Sequence, residues 1–255
     1  MTIHIYKKKR NKMESIMTKK INVVMEYNKD GYLLYANNYC GAFTRGKSKD
    51  EAISKFAVEI KQYMKWVTDG KEDLEEDYEP LIVQEKKSAL QICDADSDVI
   101  FDTEKMPLEK DEYESLKQLV IKSAIDFKAL YDSIPNKEYS ILKTRNTFYG
   151  PIPRTANEMY IHTNNVTNYY IGEIGVEIDN MEDIVDNRIH ALESIEKLPN
   201  YLGNKAFEGS YDEKWSLRKV LRRFIWHDRI HAKAMYRMAT KTWNNGEIAN
   251  PYYFF

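Results

Sequence analysis

The second half of the chain carries four long segments with helical periodicity and no strand signal between them. In each segment, apolar side chains recur every three or four residues, which is typical of amphipathic helices. The segments cover residues 110–131, 156–174, 179–198 and 217–242. Four helices of this length without intervening strands predict a helical bundle.

Residues that start and stop helices bound these segments. Thr155 and Glu158 form a capping box before the second helix, and Ser216 is a preferred N-cap for the fourth. Pro135 ends the first helix and Pro199 ends the third, because proline cannot continue a helix interior. The sequence therefore predicts where the helices of the bundle begin and end.

The first half has a different pattern, in which β-rich runs precede one helix. The runs cover residues 21–27, 32–36 and 40–44. Asp30-Gly31 supplies a hairpin turn between the first two. Ser48 and Glu51 form a capping box before a helical pattern over residues 52–67. We therefore expect a β-β-β-α unit.

An acidic stretch over residues 69–79 indicates a linker, and two short strands are predicted at 81–84 and 99–101. The composition changes at residues 102–107, which predicts a domain boundary. The predicted fold class is α+β. Its parts are a tail (1–17), an α+β domain (18–102) and a helical domain (106–255).

Bulk composition excludes several classes of function. The net charge of −2 and pI near 6.3 give no basic field for nucleic acid. No apolar run is long enough to span a membrane, and no secretory signal follows the N-terminus. Two cysteines, Cys40 and Cys93, do not make a disulfide scaffold. We expect a cytoplasmic protein, with Met1 and Met17 as alternative starts.

Three of the five histidines can converge on one point. His227 and His231 lie one turn apart on the fourth helix, and His162 lies within the second. Imidazole suits zinc, nickel, copper or iron(II), and three protein ligands leave a coordination position open. The sequence therefore predicts a divalent-metal site. His4 and His190 are expected to be solvent-facing or simply packed.

Glu158 and Tyr169 are the candidate catalytic residues, because they share the helical stripe of His162. Each has a structural alternative: Glu158 belongs to the capping box, and Tyr169 has the character of a packed core residue. Asp228 is expected to be a surface charge. Arg222 and Arg223 are expected to pair along the helix surface or to meet an anionic substrate.

The predicted fourth helix resembles the last helix of the DinB/YfiT-like superfamily. It opens with Trp215-Ser216 and continues to His227 and His231 with i, i+4 spacing. The helix that carries His162 is similar to the second helix of that family, which bears its first metal histidine.

This resemblance covers residues 106–245. It implies an up-down-down-up four-helix bundle with zinc or nickel as the most expected ion. It further implies a thiol S-transferase that acts on a small molecule, with a low-molecular-weight thiol as cosubstrate. A metal with an open position can equally activate water, so a hydrolase is the alternative. Whether the open metal position takes a thiol or water stays undecided.

The first domain resembles HicB-like domains over residues 18–70. The likeness rests on Asp-Gly-Tyr at 30–32 and on Gly-Lys-Ser-Lys-Asp-Glu-Ala at 46–52. Residues 39–41 are Tyr-Cys-Gly, where Pro-Gly-Cys is usual. HicB-like proteins are often antitoxins, but no DNA-binding module follows here. We therefore interpret the domain as a partner-binding or dimerisation appendage.

The leading hypothesis is a metal-dependent enzyme. The alternative is a non-catalytic protein-binding or stress-related scaffold, and a homodimer is expected with either. A dimeric protein with a vestigial site is the third reading, in which the aromatic residues 252–255 dock on the core or on a neighbouring subunit.

Overall fold

The computed structural model describes residues 18–71, 76–147, 150–243 and 245–255 of a mixed α+β protein. The expected tail (1–17) and part of the expected linker (72–75) lie outside these residues. The strands are β1 Thr18–Tyr27, β2 Tyr32–Ala36, β3 Phe43–Gly46, β4 Asp77–Lys87, β5 Asn146–Thr147, β6 Gly150–Pro151, β7 Phe207–Glu208 and β8 Lys214–Trp215. The helices are α1 Lys49–Ser54, α2 Phe56–Val67, α3 Lys110–Asp132, α4 Ala156–Gly172, α5 Ile184–Glu196 and α6 Leu217–Thr242.

The main sheet has four strands in the order β3-β2-β1-β4. β1 and β2 are antiparallel with Tyr27 opposite Tyr32, as the predicted hairpin requires. β4 runs parallel to β1, and the register shifts between Val23 and Val24. The predicted first helix is broken into α1 and α2 at Lys55.

Two predictions about residues 69–101, the end of the acidic linker and the second short strand, are wrong. β4 begins at Asp77, so it takes up the end of the expected acidic linker. Residues 99–101 form no strand. Val99 and Phe101 are nevertheless buried, because they pack in a cluster with Trp226 rather than pairing with a neighbouring strand. The apolar run over residues 99–101 therefore reflects side-chain packing without a ladder of backbone hydrogen bonds.

Both faces of the sheet are covered. Val23 and Met25 belong to the same buried cluster as Phe56 of α2, whereas the alternate residue Val24 packs with Trp226 of α6. Successive side chains of a strand point to opposite faces, so β1 contributes to both clusters. α2 thus packs on one face of the sheet, and Trp226 of α6 packs on the other.

The long helices pack against one another in pairs: α3 contacts α5 and α6, and α4 contacts the same two helices. α5 starts later than the predicted residue 179, at Ile184. The reason is that Asp183 caps it by accepting hydrogen bonds from the N–H groups of Val185 and Asp186. Among the described residues, no helix has the length and apolarity that a membrane span requires.

α6 connects the helices to the sheet region through buried ion pairs. Arg229 and Lys233 each lie 2.7 Å from a carboxylate oxygen of Glu59 on α2. Arg222 pairs with Glu104, which lies before α3. Arg222 was expected on the helix surface but is buried, because its partner comes from a distant part of the chain.

The C-terminal aromatic residues dock on this junction. Tyr252 and Phe254 are buried, and the ring of Tyr252 lies 5.3 Å from that of Trp66 on α2. The hydroxyl of Tyr252 donates to the backbone carbonyl of Ser123 on α3 at 2.6 Å. The end of the chain therefore packs on the core of its own molecule.

Candidate metal centre

The structure brings His162, His227 and His231 together. The Nε2 atoms of His162 and His227 lie 3.2 Å apart, and one ligand atom from each of the three rings lies within 4.8 Å of the others. Ring centroids are 4.5 to 5.0 Å apart. Three imidazoles from two helices thus face one point.

Helix starts fix the positions of these rings. Thr155 caps α4 by accepting a hydrogen bond from the N–H of Glu158 at 3.0 Å. Ser216 caps α6 by accepting from the N–H of Lys219, and its hydroxyl donates to the carbonyl of Glu104. Both helices are therefore anchored at their first turn. This turn lies about two turns before His162 in α4 and about three turns before His227 in α6.

The cluster is open to solvent on one side. His227 is buried, His231 is half-buried and His162 is exposed. An ion held here would be shielded by α6 and accessible beside α4. This graded exposure is what a site for a small external ligand requires.

All three imidazoles are held in the neutral form. Burial lowers the pKa of His227 well below its ordinary value, and the other two histidines lower it further. Burial, and then His162, lowers the pKa of His231 to about 3. Withdrawal from solvent also lowers the pKa of His162. A metal therefore meets little competition from protons at neutral pH.

The donor set fits a divalent transition metal. Two nitrogens bound to one tetrahedral zinc ion at about 2.0–2.1 Å lie ~3.3 Å apart. The observed 3.2 Å between His162 and His227 agrees with that separation. Nδ1 of His227 is buried without a hydrogen-bond partner among the described residues. Coordination through Nε2 would leave Nδ1 as the protonated nitrogen of that ring.

A buried ion pair that the sequence did not predict lies beside this cluster. Arg188 of α5 and Asp228 of α6 are fully buried, with 3.2 Å between guanidinium and carboxylate. Asp228 was expected on the surface, and this prediction is wrong. Asp228 shares a helical face with Leu221, Phe224 and Met235, all buried. That apolar spacing was the available signal.

Arg223 is also buried rather than on the helix surface. Its guanidinium lies 3.0 Å from Glu213 and donates to the carbonyl of Ser97 at 2.6 Å. It packs 4.8 Å from the ring of Trp226. Arg223 is therefore held by protein groups on the inside of α6 and does not lie on the helix surface.

The two candidate catalytic residues lie outside the histidine cluster. The carboxylate of Glu158 accepts hydrogen bonds from the N–H groups of Arg154 and Thr155, and these contacts lower its pKa. Tyr169 is 39% exposed, and its ring lies 6.2 Å from that of Trp215. Burial and then Glu173 raise the pKa of Tyr169, so its phenol keeps its proton.

Comparison with known proteins does not assign the chain to a family. No protein-family model, no curated protein and no solved structure matches it.

Proposed function

We propose that this protein is a metal-dependent enzyme of the DinB-like type that acts on a small molecule as a thiol S-transferase or a hydrolase. His162, His227 and His231 would hold the ion, with zinc or nickel preferred. The observation that carries the proposal is the convergence of three neutral imidazoles on one solvent-accessible point. The same three residues are the ones that the resemblance implies.

Contacts between helix ends support the up-down-down-up arrangement. Glu112 near the start of α3 pairs with Arg218 near the start of α6, which is consistent with the two helices running in the same direction. Tyr113 of α3 donates to Glu196 at the end of α5, at 3.0 Å. The ring of Tyr131, near the end of α3, stacks 4.3 Å from Tyr160 of α4. These contacts favour α4 and α5 running opposite to α3 and α6.

The three strands followed by a helix support the HicB-like interpretation of the first domain. Gly41 lies in the turn between β2 and β3 and has φ +88°. A Cβ atom there would come within 2.4 Å of the side chain of Ile225 on α6. Because this turn packs directly on α6, we propose that the first domain is a fixed appendage of the helical part. A homodimer and a cytoplasmic location remain predictions.

The chemistry follows from an open position on the ion. A divalent metal with three imidazole ligands acts as a Lewis acid and favours the anionic, nucleophilic form of a thiol or of water. The protein's own contribution is to keep the imidazoles neutral and to leave the side beside His162 open. Tyr169, two turns along α4 from His162, is the proposed hydrogen-bond donor to a bound substrate. Glu158 serves α4 as its cap.

A thermal-shift experiment separates the thiol and hydrolase versions of this proposal. Zinc-loaded protein would be titrated with cysteine. Serine, which has a hydroxyl oxygen where cysteine has its thiol sulfur, is the matched control. We expect cysteine to raise the melting temperature of the wild type, serine to leave it unchanged, and His227→Ala to respond to neither. Equal responses to cysteine and serine would contradict the thiol transferase and leave the hydrolase.

A further inference from the structure

A cavity lies on the side of α6 opposite to the histidine cluster. Its volume is about 610 Å³, and it lies between the sheet region, α3 and α6. Arg218 and Arg222 line it. Arg218 precedes His227, and Arg222 precedes His231, by about two and a half helical turns. This spacing places the cavity and the histidine cluster on opposite faces of one helix.

The walls have the character of a small-molecule site. The volume falls within the range of roughly 300–1,000 Å³ that is common for ligand pockets. Apolar side chains from three parts of the chain form much of the lining: Tyr63, Val67, Phe101, Leu116 and Leu119. Cys40 joins them as a neutral thiol, since burial raises its pKa to about 12. Neutral amides of Asn37, Asn38 and Gln118 add polar groups.

The charged residues of the lining are already paired with one another or with nearby carboxylates. Arg218 pairs with Glu112, and Arg222 pairs with Glu104. Lys122 lies 2.7 Å from Asp69 and 3.1 Å from Asp126. A charged ligand would have to compete with these pairs, so the electrostatics favour an uncharged one.

Two donor groups of the lining residues are left without partners. Nη1 of Arg222 and Nε of Arg218 have no hydrogen bond within the described part of the chain, although both atoms are buried. Arg222 is only 4% exposed, so its unused donors are costly to leave unpaired. Because water does not reach either atom, neither donor faces the cavity, and recognition of a ligand depends on the apolar lining and the neutral amides.

We infer that this cavity is a ligand site, separate from the metal centre, for an uncharged and largely apolar molecule. The lining residues come from the turn after β2, from α2, α3 and α6, and from the segment before α3. A ligand there would contact both the sheet region and the helices. The inference does not depend on the proposed metal chemistry.

Prodan, an uncharged naphthalene ketone whose fluorescence reports an apolar environment, is a suitable probe. We expect saturable, blue-shifted binding of one dye per chain. Ser115→Trp should weaken this binding by at least about tenfold, because Ser115 is exposed on α3 at the cavity wall and the indole would occupy part of the space that the dye needs. Gln118→Trp, also exposed on that wall, serves as a second occluding variant.

Two control variants test the location. Ile125→Trp introduces the same side chain on the exposed surface of α3 outside the cavity, and His227→Ala removes a metal ligand. Both should bind prodan as the wild type does. The inference is overturned if binding is not saturable, if both occluding variants bind as the wild type, or if either control loses binding.

Discussion

Nε2 of His162 and Nε2 of His227 lie 3.2 Å apart, although 65 positions separate the two residues in the chain. This contact requires α4 and α6 to be in one particular register. Repulsion between two protonated rings at this distance would be severe, and their lowered pKa values avoid it. Two neutral rings at this distance are thus suited to binding one metal ion between them.

The histidines predict a specific pH dependence for the metal-free protein. His231 has a folded pKa of about 3 against an ordinary 6.5, so the unfolded chain binds more protons between these values. Stability should therefore fall as the pH decreases from about 6.5 toward 3. We expect His231→Ala to make the dependence shallower, as measured by urea denaturation with EDTA at several pH values.

Comparison of the variant with the wild type is essential, because a buried carboxyl acts in the opposite direction. Burial raises the pKa of Glu26 from 4.5 to about 7, so its contribution to stability falls as the pH rises through that interval. This contribution is common to both proteins and cancels in their difference. A difference in stability that does not change between pH 7 and pH 5 would contradict the prediction.

The ion pairs of Glu59 should be important for stability. Glu59→Gln leaves Arg229 buried and without its carboxylate, which should destabilise the protein by about 3–5 kcal/mol. Asp132→Asn is the control, since it breaks an exposed pair with Lys128 and should change stability by about 0.5 kcal/mol or less. Equal effects of the two variants on chemical denaturation would argue against a buried pair.

The elements that repeat a simple pattern could be predicted from the sequence. The bounds of α3, α4 and α6 follow from periodicity and caps, and the i, i+4 spacing of His227 and His231 places both on one face of α6. These features depend on local rules, in which side-chain spacing and a capping residue determine the geometry.

The residues that were mispredicted depend on distant partners. Arg222 and Asp228 are charged residues on a helix, and local rules place such residues in solvent. They are buried because Glu104 and Arg188 reach them from elsewhere in the chain. The false strand at 99–101 has the same origin, since Trp226 of α6 covers its apolar residues. The apolar spacing around Asp228 indicates a buried face, but no single stretch of sequence identifies these distant partners.

Glu158 offers a test of capping against catalysis. Glu158→Gln removes the charge that accepts two backbone N–H groups at the start of α4, and it should cost about 0.5–2 kcal/mol of stability. The bound metal should be retained in full. The control is Glu193→Gln, an exposed glutamate within α5. Metal loss in Glu158→Gln would instead link this carboxylate to the metal centre.

The most direct test of the account is the metal content of the purified protein without a histidine tag. We predict close to one zinc or nickel ion per chain in the wild type by elemental analysis, and almost none in His227→Ala. His190→Ala, which removes a histidine outside the cluster, should retain the ion. A wild type that takes up no more metal than His227→Ala, even after incubation with zinc or nickel, would contradict the proposed centre.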